Sequence, residues 1–396
     1  MNQIRNLDNK IYIKIFYFLI YAAMGIYSPF LAVYFKQIGI PEIHIGVFLS
    51  VSTGITFLSS TFWGYISDKK QNRNGILLIC IIGNTLSIFL FLFSSNYYYV
   101  FSMTILAAFF FKPLLPLTDS AALDAVKSDS SFYSYGKIRV WGTIGFLFAN
   151  FILSFVIEKN GMKWLFILNG ILMMISLSIP MLIKKPKIDI EPHKLELKNL
   201  LYFFKKHFII VYISCVLVEI TNTVIYGFYS IYLGDLNFNS QMIGLCWGIG
   251  VLIEIPIFLF SNRIIELFGI KITMISGICA HLLKFFVLSE ITAATNNYLI
   301  WILLLQITHG AFFGLFYAGL VNLIFIASPA KLQNSGQSIF VGSTYSIGAV
   351  AGFALNGYIA GKTGFSGMFL LNSILLLSAV LLLLFINIRR LTSYEE

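Results

Sequence analysis

The stretch "KKPKIDIEPHKLELKNLLYFFKKH", residues 184–207, is the longest polar segment of a chain that is otherwise mostly apolar, and it falls at the middle of 396 residues. Hydrophobic runs extend from it in both directions. Each is close to the ~20 residues that carry a helix across a ~30 Å hydrocarbon core. On the N-terminal side they lie near 11–35, 43–66, 76–93, 98–121, 137–157 and 162–183. On the C-terminal side they lie near 208–233, 241–260, 271–288, 298–326, 337–360 and 366–387. Six runs on each side predict an all-α membrane protein of 12 transmembrane helices: a six-helix bundle over 1–183, a cytoplasmic linker at 184–207, and a second bundle over 208–396. A duplicated bundle of this kind implies a path between its halves.

Composition agrees. Hydrophobic residues make up 58% of the chain and charged residues 11%, against roughly 25% charged in soluble domains. The net charge of +10 could suggest nucleic acid, but its distribution follows the loops. Of the 27 Lys and Arg, 20 fall on the side holding the termini and four on the other, leaving Lys112, Arg139 and Lys284 inside spans. Positive-inside asymmetry then places both termini in the cytoplasm. Cys80, Cys215, Cys246 and Cys279 all sit in spans without metal-ligand spacing, so neither a disulfide nor a metal site is expected. The first apolar run lacks a small-residue cleavage site, which argues against a signal peptide. No loop is long enough for a catalytic domain. The chain has no Walker-type phosphate loop, metal-spaced His/Cys set or nucleophile elbow, so an enzyme or an ATP-driven pump finds no support.

Each half repeats one detail. After the second run the chain reads "GYISDKKQNRNG" (64–75), and after the eighth "FSNRIIELFGIK" (260–271). The first resembles the loop signature of the major facilitator superfamily, keeping Gly64, Asp68, Lys69 and Arg73 but placing Gln71 and Asn72 where the pattern has glycine and a basic residue. The second, with Asn262, Arg263, Gly269 and Lys271, is weaker. The resemblance implies a gating loop whose Asp68 and basic residues pair between helix ends, and whose Gly64 permits a tight turn. Gly310 and Gly314, and the row Gly348, Gly352, Gly357 and Gly361, read as close helix contacts.

Ionisable residues within spans are costly and mark function by default. Glu219, Glu254, Lys284 and His309 lie at about the same depth in four successive runs. They read as a proton-coupling group or the lining of a central polar cavity, with a static Glu254–Lys284 pair as the bland alternative. In the other half, "FFFKPLLPLTDSAAL" (109–123) carries Lys112 and Asp119 seven residues apart on one helical face. Lys112 faces either the cavity or Asp119. Asp119 and Arg139 fall at matching depth on adjacent runs, the expected buried charge pair of spans 4 and 5. Asp124, at the end of its run, reads as a solvated charge.

"PLTDSAALDAV" followed by "YGKIRVWGTIGF", with "VLIEIPIF" and "QITHGAFFGLFYAG" in the second half, resembles the phenylpropionate-permease-like branch of that superfamily, which is related to lactose permease and nucleoside–proton symporters. The resemblance covers nearly the whole chain. It implies an acid–base pair at Asp119 and Arg139, and a proton-coupling region at Glu254, Lys284 and His309. One departure bears on coupling: Phe312 occupies the position where lactose permease has a glutamate. Tyr21, Asn222 and Tyr226, with Lys112, are the substrate-cavity candidates.

The sequence is thus read as a secondary transporter that takes up a small organic solute with a proton by alternating access. The expected solute is a sugar, a nucleoside or an aromatic or other organic acid. No cofactor beyond the proton is expected, and no metal or nucleic acid. The expected setting is a monomer in the bilayer of a bacterial cytoplasmic membrane. Proton-antiport efflux, passive uniport and a non-transporting receptor are the competing readings.

Overall fold

The computed structural model describes residues 2–126, 133–183, 206–327 and 333–386. Among them every regular element is helical. In hydrocarbon every backbone N–H and C=O must be satisfied within its own segment, and the helix does this. The expected linker, 184–207, lies outside the described residues except for the first residues of the helix that follows it.

The helices are α1 (Asn9–Gln37), α2 (Glu42–Lys70), α3 (Arg73–Leu90), α4 (Tyr97–Val126), α5 (Tyr135–Asn160), α6 (Trp164–Leu182) and α7 (Phe208–Asp235), followed by the run Ser240–Glu290, then α10 (Tyr298–Ala327) and the run Phe340–Leu384. A straight helix of 51 residues would be about 75 Å long, more than twice a bilayer core. Ser240–Glu290 is in fact broken at Gly269 (φ 80°, ψ 158°), giving α8 (240–268) and α9 (270–290). Phe340–Leu384 is broken at Gly364 (φ 74°, ψ −176°), giving α11 (340–363) and α12 (365–384). The inter-span loops expected at 261–270 and 361–365 are therefore single-residue breaks. Glycine provides them because φ near +75° costs it nothing.

Two compact units result. Unit 1 comprises Met1–Pro41, Val51–Ile190 and Leu233–Gly248; unit 2 comprises Glu42–Ser50, Glu191–Tyr232 and Ile249–Glu396. Residues 42–50, expected in the first bundle, thus group with unit 2, and 233–248, expected in the second, group with unit 1. The cause is close backbone contact. A Cβ at Gly46 would meet the Phe353 carbonyl oxygen at 2.5 Å, and one at Gly244 would meet the Asn150 carbonyl oxygen at 2.3 Å.

Within unit 1, α1 and α5 touch backbone to backbone. A Cβ at Gly145 would lie 2.1 Å from the Phe18 carbonyl oxygen. Asn169 of α6 donates to the Ala23 carbonyl (2.8 Å), and Asn84 of α3 donates to that of Ala107 (3.2 Å). Within unit 2 a chain of amides joins three helices. Asn372 donates to Asn356 (2.6 Å), which donates to Thr223 Oγ1 (2.9 Å) and the Ile220 carbonyl (3.0 Å). Apolar membranes leave such polar contacts and small-residue faces as the main specific glue. All six glycines read as close contacts approach neighbouring helices more tightly than a side chain would permit.

The gating-loop residues take unexpected places. Gly64 is mid-helix with open space beside it, not in a turn. The turn is made by Gln71 in the left-handed region (φ 44°, ψ 38°), and Asn72 caps α3 by accepting from the Gly75 N–H. Asp68 is exposed, and its backbone carbonyl accepts the Gln71 N–H (3.1 Å). Lys69 lies beside the Tyr65 ring (5.8 Å). Arg73 pairs instead with Asp124 at 2.6 Å and with Ser120 (3.1 Å), so Asp124 is the loop's anchor and not a free helix-end charge. In the weaker copy, Lys271 donates to the Leu384 and Ile386 carbonyls (2.6 and 2.9 Å), closing the end of α12.

A non-glycine residue in the left-handed region carries roughly 1–2 kcal/mol of strain. Part of the relief is offset by the larger unfolded-state entropy of glycine. Gln71→Gly is therefore expected to raise the thermal midpoint in detergent by a few degrees without changing transport. A fall in that midpoint would contradict this account of the turn.

Candidate functional site

The site residues fall into one cluster in each unit. In unit 1 the fully buried Tyr17 donates from its hydroxyl to Asp119, and Tyr135 donates to the same carboxylate oxygen at 3.2 Å. Arg139 does not pair with Asp119. Its guanidinium lies over the Tyr21 ring at 4.2 Å, with the Tyr17 ring at 5.7 Å and the two rings stacked at 6.0 Å. The expected charge pair is corrected for a physical reason: phenol hydroxyls already satisfy the carboxylate, while the aromatic faces hold the cation. Gly142 makes the arrangement possible, since a Cβ there would come within 2.8 Å of the Tyr21 ring and 2.9 Å of the guanidinium. Arg139 makes no hydrogen bond or ion pair among the described residues, so its planar fork of donors is available.

Lys112 sits half-buried at the joint between Tyr97–Phe111 and Leu114–Val126, where Pro113 interrupts α4. It forms no ion pair with Asp119. The alternative in which those two residues neutralise each other is therefore set aside.

In unit 2, Glu219 is 4% exposed. One of its oxygens accepts from the Tyr317 hydroxyl and the other from Asn222 Nδ2 (3.4 Å), while Asn222 also reaches Tyr317 (3.3 Å). Gly348 of α11 packs on the Glu219 side chain, where a Cβ would meet it at 2.5 Å. Lys284 is wholly buried; its Nζ reaches Gln306 Oε1 (3.5 Å) and lies 4.6 Å from the Tyr229 ring centroid. Gln306 in turn donates to the Tyr229 hydroxyl (2.7 Å). His309 is buried one turn along α10, against Phe313 and beside Gly250 of α8. Glu254 is half-buried in α8, where its backbone nitrogen faces Gly310 of α10. Tyr226 is half-buried in α7, within electrostatic reach of Tyr317.

Three π-helical stretches interrupt these helices: Ala149–Leu153 in α5, Ile225–Tyr229 in α7 and Phe312–Tyr317 in α10. Such bulges concentrate at functional sites. Two of them supply Tyr226, Tyr229, Phe312 and Tyr317 to the unit 2 cluster.

Residues 10–371 match the sequence profile of the MFS_1-like family. The chain belongs to that family. It is a membrane transporter, not an enzyme. This MFS_1-like chain is 25% identical over 359 residues to the protein of Escherichia coli (strain K12) named "Probable 3-phenylpropionic acid transporter", covering 89% of this chain and 88% of that one. Its fold is that of the nucleoside transporter NupG, with a TM-score of 0.83 at 19% identity over 98% of this chain and 100% of that one. An auto-inhibited peptide transporter of the POT family matches at a TM-score of 0.71 and 14% identity, with 95% of each chain covered.

Several residues of the clusters went unread in the sequence. Tyr135, Gln306 and Tyr317 carry hydrogen bonds of the clusters, and His281 stacks on Phe312 beside the unit 2 cluster. Tyr17 and Tyr229 belong to the tyrosine-rich spans 1 and 7 that the family resemblance places along the central cavity. The available signal for His281 was its spacing, three residues before Lys284 in "HLLK" (281–284) and so on the same helix face.

Proposed function

We propose that the protein is a secondary active transporter that takes up a small organic anion together with a proton by alternating access. It does so through twelve spans with both termini in the cytoplasm. The observation that carries this reading is the state of Arg139: a guanidinium held on two tyrosine faces, with no donor committed among the described residues. A fork of donors against an aromatic wall suits an aromatic or short organic carboxylate, which can be held bidentately while its ring stacks. Buried Lys284 on Tyr229 gives unit 2 a second cation–aromatic element. The name of the Escherichia coli relative points to the same solute class, and bacterial relatives favour a bacterial cytoplasmic membrane; the working unit proposed is the monomer.

Glu219 is the group placed to exchange the proton. It is buried and, among the described residues, is hydrogen-bonded by the neutral donors Tyr317 and Asn222 with no cation in ion-pair contact. A lone carboxylate removed from water is costly to keep charged, so a change in its surroundings during the cycle also changes its proton occupancy.

The test is internal pH in proteoliposomes carrying a trapped pH dye, while aromatic carboxylates, short carboxylates, sugars and nucleosides are added outside. Protein-free vesicles correct for passive entry of weak acids. The expected result is protein-dependent acidification with carboxylates, lost in Glu219→Gln while solute exchange continues. Acidification with sugars or nucleosides alone would overturn the solute class. Labelled solute entry with no proton signal would make the protein a uniporter.

A further inference from the structure

One cavity of unit 1 lies away from the clusters. It holds about 400 Å³ at the end of the bundle opposite the termini, the outer face in the orientation proposed above. Small-molecule sites typically hold roughly 300–1,000 Å³. Its lining comes from the last residues of α1, the turn between α3 and α4, and the start of α6. Residues at the ends of spans stand at the headgroup level or beyond it. Three rings form the apolar wall. Phe91 and Phe166 stack (4.6 Å, 5°), and the Tyr34 ring meets Phe166 edge-on (4.7 Å, 85°). Each ring holds the next, so the wall is fixed before a ligand arrives. A fourth ring, Phe93, also lines the cavity and is 79% exposed.

The polar side of the cavity carries Lys163 and Ser94, and no acidic residue lines it. Among the described residues the Lys163 ammonium makes no hydrogen bond or ion pair. Ser94 Oγ accepts the Asn96 N–H (3.1 Å), which leaves its own O–H free to donate. Lys163 directly precedes α6, at the positive end of the helix dipole, where a cation is disfavoured. Basic residues are also sparse on the outer side of a membrane protein. Of the four read there in the sequence, Lys36, Lys159 and Lys163 belong to unit 1. Glu158, next to Lys159, is committed to the Ser240 N–H (2.7 Å). A positive field beside a preformed aromatic wall suits an anion with an apolar body.

We infer that this cavity is a second binding site, on the outer face, for a small aromatic carboxylate. The carboxylate is met by Lys163 and the Ser94 hydroxyl, and its ring rests on Phe93 and the wall behind it. The site is separate from the Arg139 cluster. Tyr21, which holds that guanidinium, precedes Tyr34 on α1 by 13 residues, about 20 Å along the axis. Tyr21 packs on Gly142 of α5, whereas Tyr34 packs on Phe166 of α6. A phospholipid offers related chemistry, a phosphate on hydrocarbon. The volume and the lining by turns and helix ends favour the free solute. The ligand class is read from the cavity itself; only its identity with the transported solute rests on the anion reading above.

The test uses the full chain carrying Arg139→Gln, which removes the central anion contact, in phosphatidylcholine nanodiscs. Binding of 3-phenylpropionate is followed by saturation-transfer NMR, with 3-phenylpropanol as the uncharged control. The expected result is saturable binding of the acid over the alcohol, weakened about tenfold by a further Lys163→Glu and lost with Ser94→Trp, which fills the cavity. A photoreactive diazirine derivative of the acid is expected to label residues 91–95 or 162–166. Unchanged affinity in a folded Lys163→Glu protein, equal binding of the alcohol, or labelling confined to other segments would overturn the proposal. Displacement of the acid by phosphatidylglycerol added to the nanodiscs would reassign the cavity to a lipid headgroup. The two readings fail separately. Labelling of the cavity without carboxylate uptake by the parent sinks the transport reading and leaves this site standing. Carboxylate uptake with no labelling of the cavity does the reverse.

Discussion

Replacing Arg139 with glutamine is expected to lower the initial rate of solute uptake by about 30- to 1,000-fold. This corresponds to the roughly 2–5 kcal/mol usually lost when one partner of a desolvated charged contact is truncated. The loss should appear with little effect on folding, because among the described residues the guanidinium makes no hydrogen bond or ion pair and rests on the Tyr21 and Tyr17 faces. Arg139→Lys should recover only part of the rate, since an ammonium keeps the charge but not the two-pronged donor. Tyr21→Phe should be mild and Tyr21→Ala severe, because the face and not the hydroxyl carries the contact. Uptake within threefold of the parent in a monodisperse Arg139→Gln protein would assign the residue to structure alone.

The largest effect on folding is expected at Gly145. A side chain there meets the backbone of α1 at Phe18, which cannot rotate away as a side-chain tip could. Overpacking typically costs about 1–3 kcal/mol, and more when backbones must part. Gly145→Leu should therefore reduce the yield of monodisperse protein severely and lower the thermal midpoint of what remains by ten degrees or more. Gly136→Ala is the control on the same helix: open space surrounds it, and no such loss is expected. Comparable midpoints for the two variants would mean that α1 and α5 separate more easily than their contact indicates.

The helices were legible because a bilayer imposes one length and one solution for the backbone, so that apolar runs translate almost directly into spans. The breaks at Gly269 and Gly364 were not legible as such. A cluster of charges reads as a loop, whereas the chain continues as helix through Arg263 and Glu266 and turns at one residue. The charges were legible by their cost, but their partners were not. Asp119 and Arg139 match in depth, yet which group satisfies a carboxylate depends on which hydroxyls the fold brings within reach. Here Tyr17, more than a hundred residues away, wins over a cation one helix distant. His281 was hidden for the opposite reason. Among "CAHLLKFF" (279–286) it resembles a packing residue, and only the fold shows that its ring stacks on Phe312.

The one-residue breaks in unit 2 also set its mechanics. Consecutive Cα atoms are ~3.8 Å apart whatever the dihedral angles, so a helix pair joined through a single glycine has no slack. α8 and α9, and likewise α11 and α12, can pivot at Gly269 and Gly364, but neither partner can slide along the other by a helical turn (5.4 Å). A displacement imposed on one member at its jointed end reaches the other undiminished. The glycines thus act as pin joints, and each helix pair behaves as a two-bar linkage with rotation as its only soft coordinate.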